Sequence, residues 1–537
     1  MPFAHPALLG PVAARLVAVL ALLVVALAAQ AEPAQASTAD HSRFEALQGP
    51  FASGPDVTRA CLKCHTEASH QVMDSMHWTW SRENPATGQM VGKRHTMNSF
   101  CGSPISNEPR CTSCHVGYGW TDLSQDMTDP ATVDCLACHD TTGAYKKVPT
   151  DAGHPRYEAV VVNGKRQEPP DLALIARKVG ESSRATCGAC HFNGGGGDAV
   201  KHGDLDSSLI APPRHVDVHM SPDGANMGCA DCHTFKDHKQ DGSRFDMTAK
   251  DDHGIVTAHD MSHKRDTGLA TCESCHGAAP HGKDKLNHHA DTVACQTCHI
   301  PEFARGGVAT KILWDWSTAG RMDADGKPVT IKDDHGHTIY TAAKGDFAYG
   351  ENVRPTYAWF NGKVTGTLLT DTIDPSGVWP INRIGGTPGA ADSRIWPFKV
   401  MQGSQPYDPV NKTLVVNNVF GNPDAFWNRY DYSIAIEAGM KAAGLPYSGK
   451  YDFVKTTMHW PITHMVAPKQ QALGCTDCHT REEDGRLAGI EGVYMPGRDR
   501  AVWLDMLGIG AIMAIGAGAA GHALLRLIAT LRRRNGK

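Results

Sequence analysis

Eight copies of Cys-x-x-Cys-His punctuate the chain. The thiol pairs are Cys61 and Cys64, Cys111 and Cys114, Cys135 and Cys138, Cys187 and Cys190, Cys229 and Cys232, Cys272 and Cys275, Cys295 and Cys298, and Cys475 and Cys478. The histidines that follow them are His65, His115, His139, His191, His233, His276, His299 and His479. At this spacing two sulfurs reach one porphyrin as thioethers, and the adjacent imidazole is set to ligate its iron. Structural zinc needs no histidine at that fixed offset, and dithiol redox motifs do not recur along a chain in this way. The expected cofactor is covalently bound haem c, eight per chain, with calcium as a subordinate candidate.

The motifs use all but one of the 17 cysteines, so Cys101 stands alone and no disulfide framework exists. Aromatic residues make up only 7% of the chain, which leaves much of the core to be supplied by haem. The fold this predicts is a multihaem cytochrome c, mainly α-helical and loop with closely packed haems and little sheet. Residues 37–300 form a haem-dense core with seven motifs. Residues 301–500 form a C-terminal region in which a haem-free cover, rich in Trp, Gly and Pro, precedes the eighth motif. Within the cover, residues 424–443 have the length and composition of a helix ending near Gly444 and Pro446. The intervals between motifs are too irregular for a repeat architecture.

Both ends of the chain carry apolar runs. Residues 1–36 read as a secretory signal, with Arg15, the run Leu16–Ala29 and small residues that offer cleavage after Ala31 or Ala36. Export agrees with c-haem attachment, which takes place outside the bacterial cytoplasm. Residues 502–525 read as a transmembrane helix, and residues 526–537 as a cytoplasmic tail with Arg526, Arg532, Arg533, Arg534 and Lys537. The expected location is the periplasmic side of the inner membrane, held there by one C-terminal helix. Net charge is −5, and more negative once the cationic tail is set aside. Such a surface argues against nucleic acid as a partner.

Low-spin electron-transfer haems take two strong axial ligands, whereas a catalytic haem keeps one position open or openable. The 29 histidines supply a surplus of second ligands. The preferred donors are His77, His219, His238, His281, His289, His459 and His464, with His5, His41 and His522 set outside the core. Two residues break the bis-histidine pattern. Cys101 lies shortly before Cys111, close enough for a loop to bring its thiol over a neighbouring haem. Lys201 follows Gly194–Gly197, four glycines that let backbone approach a flat macrocycle. A lysine ligates only as the neutral amine. The alternative at this point is that Lys201 is a solvated loop residue and His202 is the ligand.

The strings ADHSRFEALQGPF, CLKCHTEASHQV, HWTW, NSFCGSPISNEPRCTSCHVGYGW, CLACHDTTGAYKK, CHFNGGGGDAVKHGDLDSS, VACQTCHIP and RIWPFKVMQGSQPYDPVNKTL closely resemble the octahaem tetrathionate reductase family, from about Ala39 to His479. The resemblance implies mostly bis-histidine haems and one exceptional haem, ligated by lysine inside a cavity with a cysteine sulfur nearby. On that resemblance Lys201 is the lysine, Cys101 the cysteine, and the haem at Cys111 and Cys114 the catalytic one. The C-terminal span departs from the soluble members.

The function this implies is reduction of a small sulfur or nitrogen oxyanion: tetrathionate cleaved to thiosulfate, with nitrite and hydroxylamine as further substrates. Electrons would come from a membrane donor such as a quinol-oxidising cytochrome. The competing readings are a non-catalytic electron conduit and hydroxylamine oxidation, though no single tyrosine announces the cross-linked haem that oxidation relies on.

Overall fold

A single helical turn satisfies the motif spacing, because residues three and four apart share one face. The computed structural model describes residues 39–162, 164–250 and 270–536, so the leader assigned to residues 1–36 lies outside the described residues. In it the backbone N–H of His65 donates to the Cys61 carbonyl at 3.0 Å, His139 to Cys135 at 3.1 Å, His233 to Cys229 at 2.9 Å, His276 to Cys272 at 2.9 Å and His479 to Cys475 at 2.8 Å. The second motif is built differently. His115 N–H donates to Thr112 at 2.8 Å, and the His115 backbone is extended.

Short helices and loops carry the haem-dense part. Helix α1 (Gly54–Cys61) runs directly into the first motif, and α2 (Arg184–His191) contains the fourth. Ser183 caps α2 through a reciprocal pair with Thr186, which satisfies N-terminal donors the helix cannot pair itself. Among the described residues up to 300, sheet is limited to three two-stranded ribbons.

The expectation of little sheet falls short beyond residue 300. A nine-stranded sheet is built there around β1 (Thr310–Asp315), β2 (Gly345–Gly350), β3 (Arg394–Asp408) and β4 (Asp452–Pro461). Strand β3 is the hub. It pairs antiparallel with β4 from Phe398↔Pro461 to Tyr407↔Asp452 and parallel with β1 at Gln402↔Leu313. It is buried along nearly its whole length, so the polar and apolar alternation that advertises a half-exposed strand is missing from its sequence.

The helix expected over 424–443 is two. Phe426–Arg429 stops at Tyr430, which turns left-handed at φ 55°, and Asp431 then caps α3 (Tyr432–Ala442) by accepting from Ser433 and Ile434. Ala435, Ile436 and Met440 of α3 pack into the core cluster shared with Met401, Met458, Trp314 and Trp460 of the sheet. At the C-terminus, α4 (Val502–Asn535) is 34 residues long, exposed throughout, and apolar enough to cross a membrane.

Candidate active site

Seven motif histidines face a second imidazole. Ring centres lie 6.2 Å apart for His65 and His41, 6.5 Å for His139 and His238, 6.1 Å for His191 and His77, and 6.2 Å for His233 and His464. The remaining three pairs, His276 with His219, His299 with His281 and His479 with His289, are each 6.1 Å apart. Two metal–nitrogen bonds of about 2 Å, each with about 1 Å more to the ring centre, give a separation of about 6 Å. Hydrogen bonds at Nδ1 orient several of these rings. His139 bonds to the Gly180 carbonyl at 2.8 Å, His233 to Asp241 at 3.0 Å and His238 to Gln71 at 2.8 Å, which leaves Nε2 available as the ligating atom.

Two sequence assignments need correction. His41, set outside the core, sits opposite His65. His459 faces no motif histidine among the described residues. Alternation along β4 sends its ring to the Phe398 side of the sheet, while its neighbour Trp460 points to the opposite face, toward His202 and Lys201.

The motif without a facing imidazole is the second. His115 is enclosed by Trp78, Trp80 and Trp120, with ring centres 4.9, 5.4 and 4.5 Å away. Its Nε2 lies 2.7 Å from the Trp78 carbonyl, so that nitrogen carries the proton and donates. To ligate through Nε2 the ring must leave this bond.

Lys201 and Cys101 converge on the same motif from different directions. Lys201 is half-buried in the field of Cys114, Arg244 and Lys93; loss of solvent first, then the two cations, holds its amine well below the usual lysine range. Its Nζ lies 5.2 Å from the Trp460 ring centre. The glycine loop makes room for it: a Cβ on Gly194 would come within 2.9 Å of the Lys201 stem, and one on Gly195, at φ 78°, within 3.0 Å of Phe100 and Val200. The Lys201 backbone is held from the sheet by Lys399 of β3, whose Nζ donates to the carbonyls of Val200 at 3.0 Å and Lys201 at 3.2 Å. His202 stacks edge-on against Trp460 and faces no motif imidazole.

Cys101 stands in the field of Cys111, whose thiol is pushed up to about 12 chiefly by burial. It lines a cavity of about 10 Å³ with Trp316, Gln405 and Asn417. Burial pushes the Cys101 thiol up, while Lys344, Arg110 and Lys311 favour the thiolate. These cations were not legible as site residues, because Lys311 and Lys344 lie far along the chain and reach the pocket only through the sheet. Burial lowers Lys311 to about 7, with Lys344 adding to the effect. The electrostatics suit a small anion.

The attachment thiols also fall into an order. Cys61 interacts directly with Cys135, Cys187 with Cys229, and Cys114 with Cys190. Cys138 lies in the field of Cys187, Cys232 in that of Cys275, and Cys298 in that of Cys478. Cys272, Glu273 and Cys295 bring their ligand atoms within 4.8 Å of one another. The motifs therefore run first, third, fourth, fifth, sixth, seventh, eighth, and the second branches from the fourth. The close group is two attachment thiols with Glu273, which pairs with Arg394, a donor set unlike the oxygen shell that calcium takes.

The fold is shared with a solved protein. The crystal structure of an octahaem cytochrome c from Shewanella oneidensis matches at 40% identity with a TM-score of 0.73, covering 85% of this chain and 98% of the other. The chain belongs to the octahaem c-type cytochromes. A model of the family Cytochrome c bacterial matches residues 311–482 of this cytochrome. An uncharacterised protein of Archaeoglobus fulgidus is 25% identical over 264 residues, 40% of this chain and 84% of its own. Covalent haem c fits the facing imidazoles and the helical motif turns, and the cytochrome has a multihaem redox role.

Proposed function

We propose that this octahaem cytochrome reduces a small oxyanion, tetrathionate foremost, at the haem carried by Cys111 and Cys114, with Lys201 as the displaceable donor to its iron. The observation that carries the reading is the odd motif. Seven motif histidines have an imidazole opposite, and the second motif has none, with Lys201 in the field of Cys114 and Cys101 in that of Cys111 instead. Eight bound haems would supply single electrons and one iron with an openable position.

The chain's own residues have separable tasks. Lys311, Lys344 and Arg110 attract the dianion and lower the cost of the Cys101 thiolate. The thiolate attacks an inner sulfur of tetrathionate, the central S–S bond breaks, and one thiosulfate leaves with the bonding pair. The sulfur–sulfur bond left on Cys101 then accepts two electrons, which release the second thiosulfate and restore the thiolate. Charge balances with no proton consumed. Nitrite and hydroxylamine are further substrates, for which Cys101 has no such task.

The continuous order of attachment thiols favours one second reading, a conduit without chemistry of its own. Turnover with reduced methyl viologen separates the two. The proposed function requires tetrathionate or nitrite consumption that Lys201→Ala lowers at least tenfold; a conduit shows none in either protein. The further proposal on location is that α4 spans the inner membrane with its cationic end inside, holding the cytochrome on the periplasmic face.

A further inference from the structure

Several motifs, including both ends of the series, reach solvent. At the first motif Cys64 and His65 are exposed; at the eighth, Cys475 and His479 are exposed together with the facing His289. His191 of the fourth motif and Cys275 and His276 of the sixth are exposed as well. Exposure alone does not single out a port among these motifs.

The root of α4 distinguishes them. The chain leaving the eighth motif is pinned to the body: Arg354 donates to the Asp484 carbonyl at 2.7 Å, Arg486 to the Tyr357 hydroxyl at 2.8 Å and Trp359 to the Glu491 carbonyl at 2.7 Å. It then folds back. Arg498 donates to the Arg486 carbonyl at 3.4 Å and pairs with Asp499 at 2.7 Å, and its charge acts on the Cys478 thiol. Val502, the first residue of α4, comes four residues after Arg498. Four residues of extended chain span at most about 14 Å. With α4 in a bilayer, the eighth motif is held next to the membrane surface. Among the described residues no comparable tether serves the other exposed motifs, and the contacts of the first run to residues 133–179 of the body.

We propose that the haem site at Cys475–His479, with His289 opposite, is the port through which this cytochrome receives electrons from a membrane-anchored haem protein. The inference rests on the proposed membrane role of α4 and adds the entry point and the kind of donor. The port stands in the water phase beside the surface, whereas a lipid quinol stays in the hydrocarbon, so the donor presents its own one-electron centre above the membrane. Each transfer oxidises one ferrous donor haem and reduces one ferric acceptor. Two transfers match one tetrathionate. The protons of quinol oxidation remain with the donor. Electrons then pass by the seventh, sixth, fifth and fourth sites to the branch at the second, and the first and third sites lie off this route.

The test uses full-length holoprotein in phosphatidylcholine vesicles containing a gadolinium-chelating lipid, with the lanthanum lipid as diamagnetic control. His289→Ala and His41→Ala identify the low-spin EPR signals of the eighth and first sites by the signal each removes. The proposal expects the eighth signal to relax at least threefold faster with gadolinium and the first to be unchanged. Faster relaxation of the first signal, equal effects on both, or no effect on either overturns the port. A second arm uses vesicles loaded with menaquinol and no other protein. Slow reduction, at least a hundredfold below that by dithionite, supports a haem-protein donor, and reduction as fast as dithionite overturns it. Neither arm contains tetrathionate or nitrite, so a wrong substrate assignment leaves both readouts intact.

Discussion

The Nε2 of His115 lies 2.7 Å from the carbonyl oxygen of Trp78, whereas the other motif histidines face a second imidazole. Identical five-residue signatures therefore lead to different local chemistry. The difference comes from the indoles around His115 and from a backbone that turns extended one residue early.

The facing rings yield a paired prediction. His41→Ala should convert one low-spin haem to high spin, because His41 is the imidazole opposite His65. His459→Ala should leave the spin state of every haem unchanged, since that ring packs against Phe398. Optical spectra of the two oxidised variants check both.

Cys101→Ala should leave the haem spectrum nearly intact and depress tetrathionate turnover at least tenfold relative to nitrite. Only tetrathionate offers a sulfur–sulfur bond to a thiolate. Steady-state rates with both substrates, measured on the same preparation, give the ratio; an unchanged ratio removes Cys101 from the chemistry.

The pH dependence follows from Lys311. Its amine titrates at about 7, below the ordinary 10.5, and faces Lys344, Cys101 and the rings of Trp314, Phe347 and Tyr349. It is charged below that value and neutral above it, so attraction for an anion weakens as pH rises through 7. KM for tetrathionate should increase about fivefold to tenfold between pH 6 and 8, consistent with losing one partly screened charge. Lys311→Met should hold KM at its high-pH value throughout. The same depression means the unfolded chain binds the extra proton between about 7 and 10.5, so this group makes stability rise with pH in that window.

Arg394 of β3 pairs with Glu273 inside the sixth motif, and both are buried. Removing one partner strands the other charge, at a cost of about 3–5 kcal/mol. Arg394→Met should lower the denaturation midpoint accordingly, and Arg394→Met with Glu273→Met should recover most of the loss. Denaturant melts of the three holoproteins check this.

That the chain is a multihaem c-type cytochrome was legible, because the attachment motif is local in sequence. Ligand pairing was legible only in part. His77, His219 and His464 come from segments rich in aromatic or apolar residues near other motifs, but His41 sits in a polar arm whose packing onto the first motif has no local signature. His459 carries the same aromatic flank as His77 and differs only in strand parity. The sheet escaped notice because β3 is buried on both faces. Lys201 and Cys101 were visible chiefly through resemblance, and the cations that give the Cys101 pocket its charge come from distant parts of the chain, Lys311 on β1 and Lys344 beside β2.

The central claim, one haem with a displaceable lysine among seven bis-histidine haems, is tested most directly by low-temperature EPR of the oxidised protein with and without tetrathionate and nitrite. The account predicts seven low-spin signals that ignore the anions and one distinct signal that changes when they are added and is altered by Lys201→Ala. Eight equivalent bis-histidine signals, insensitive to both anions and to Lys201→Ala, would contradict it.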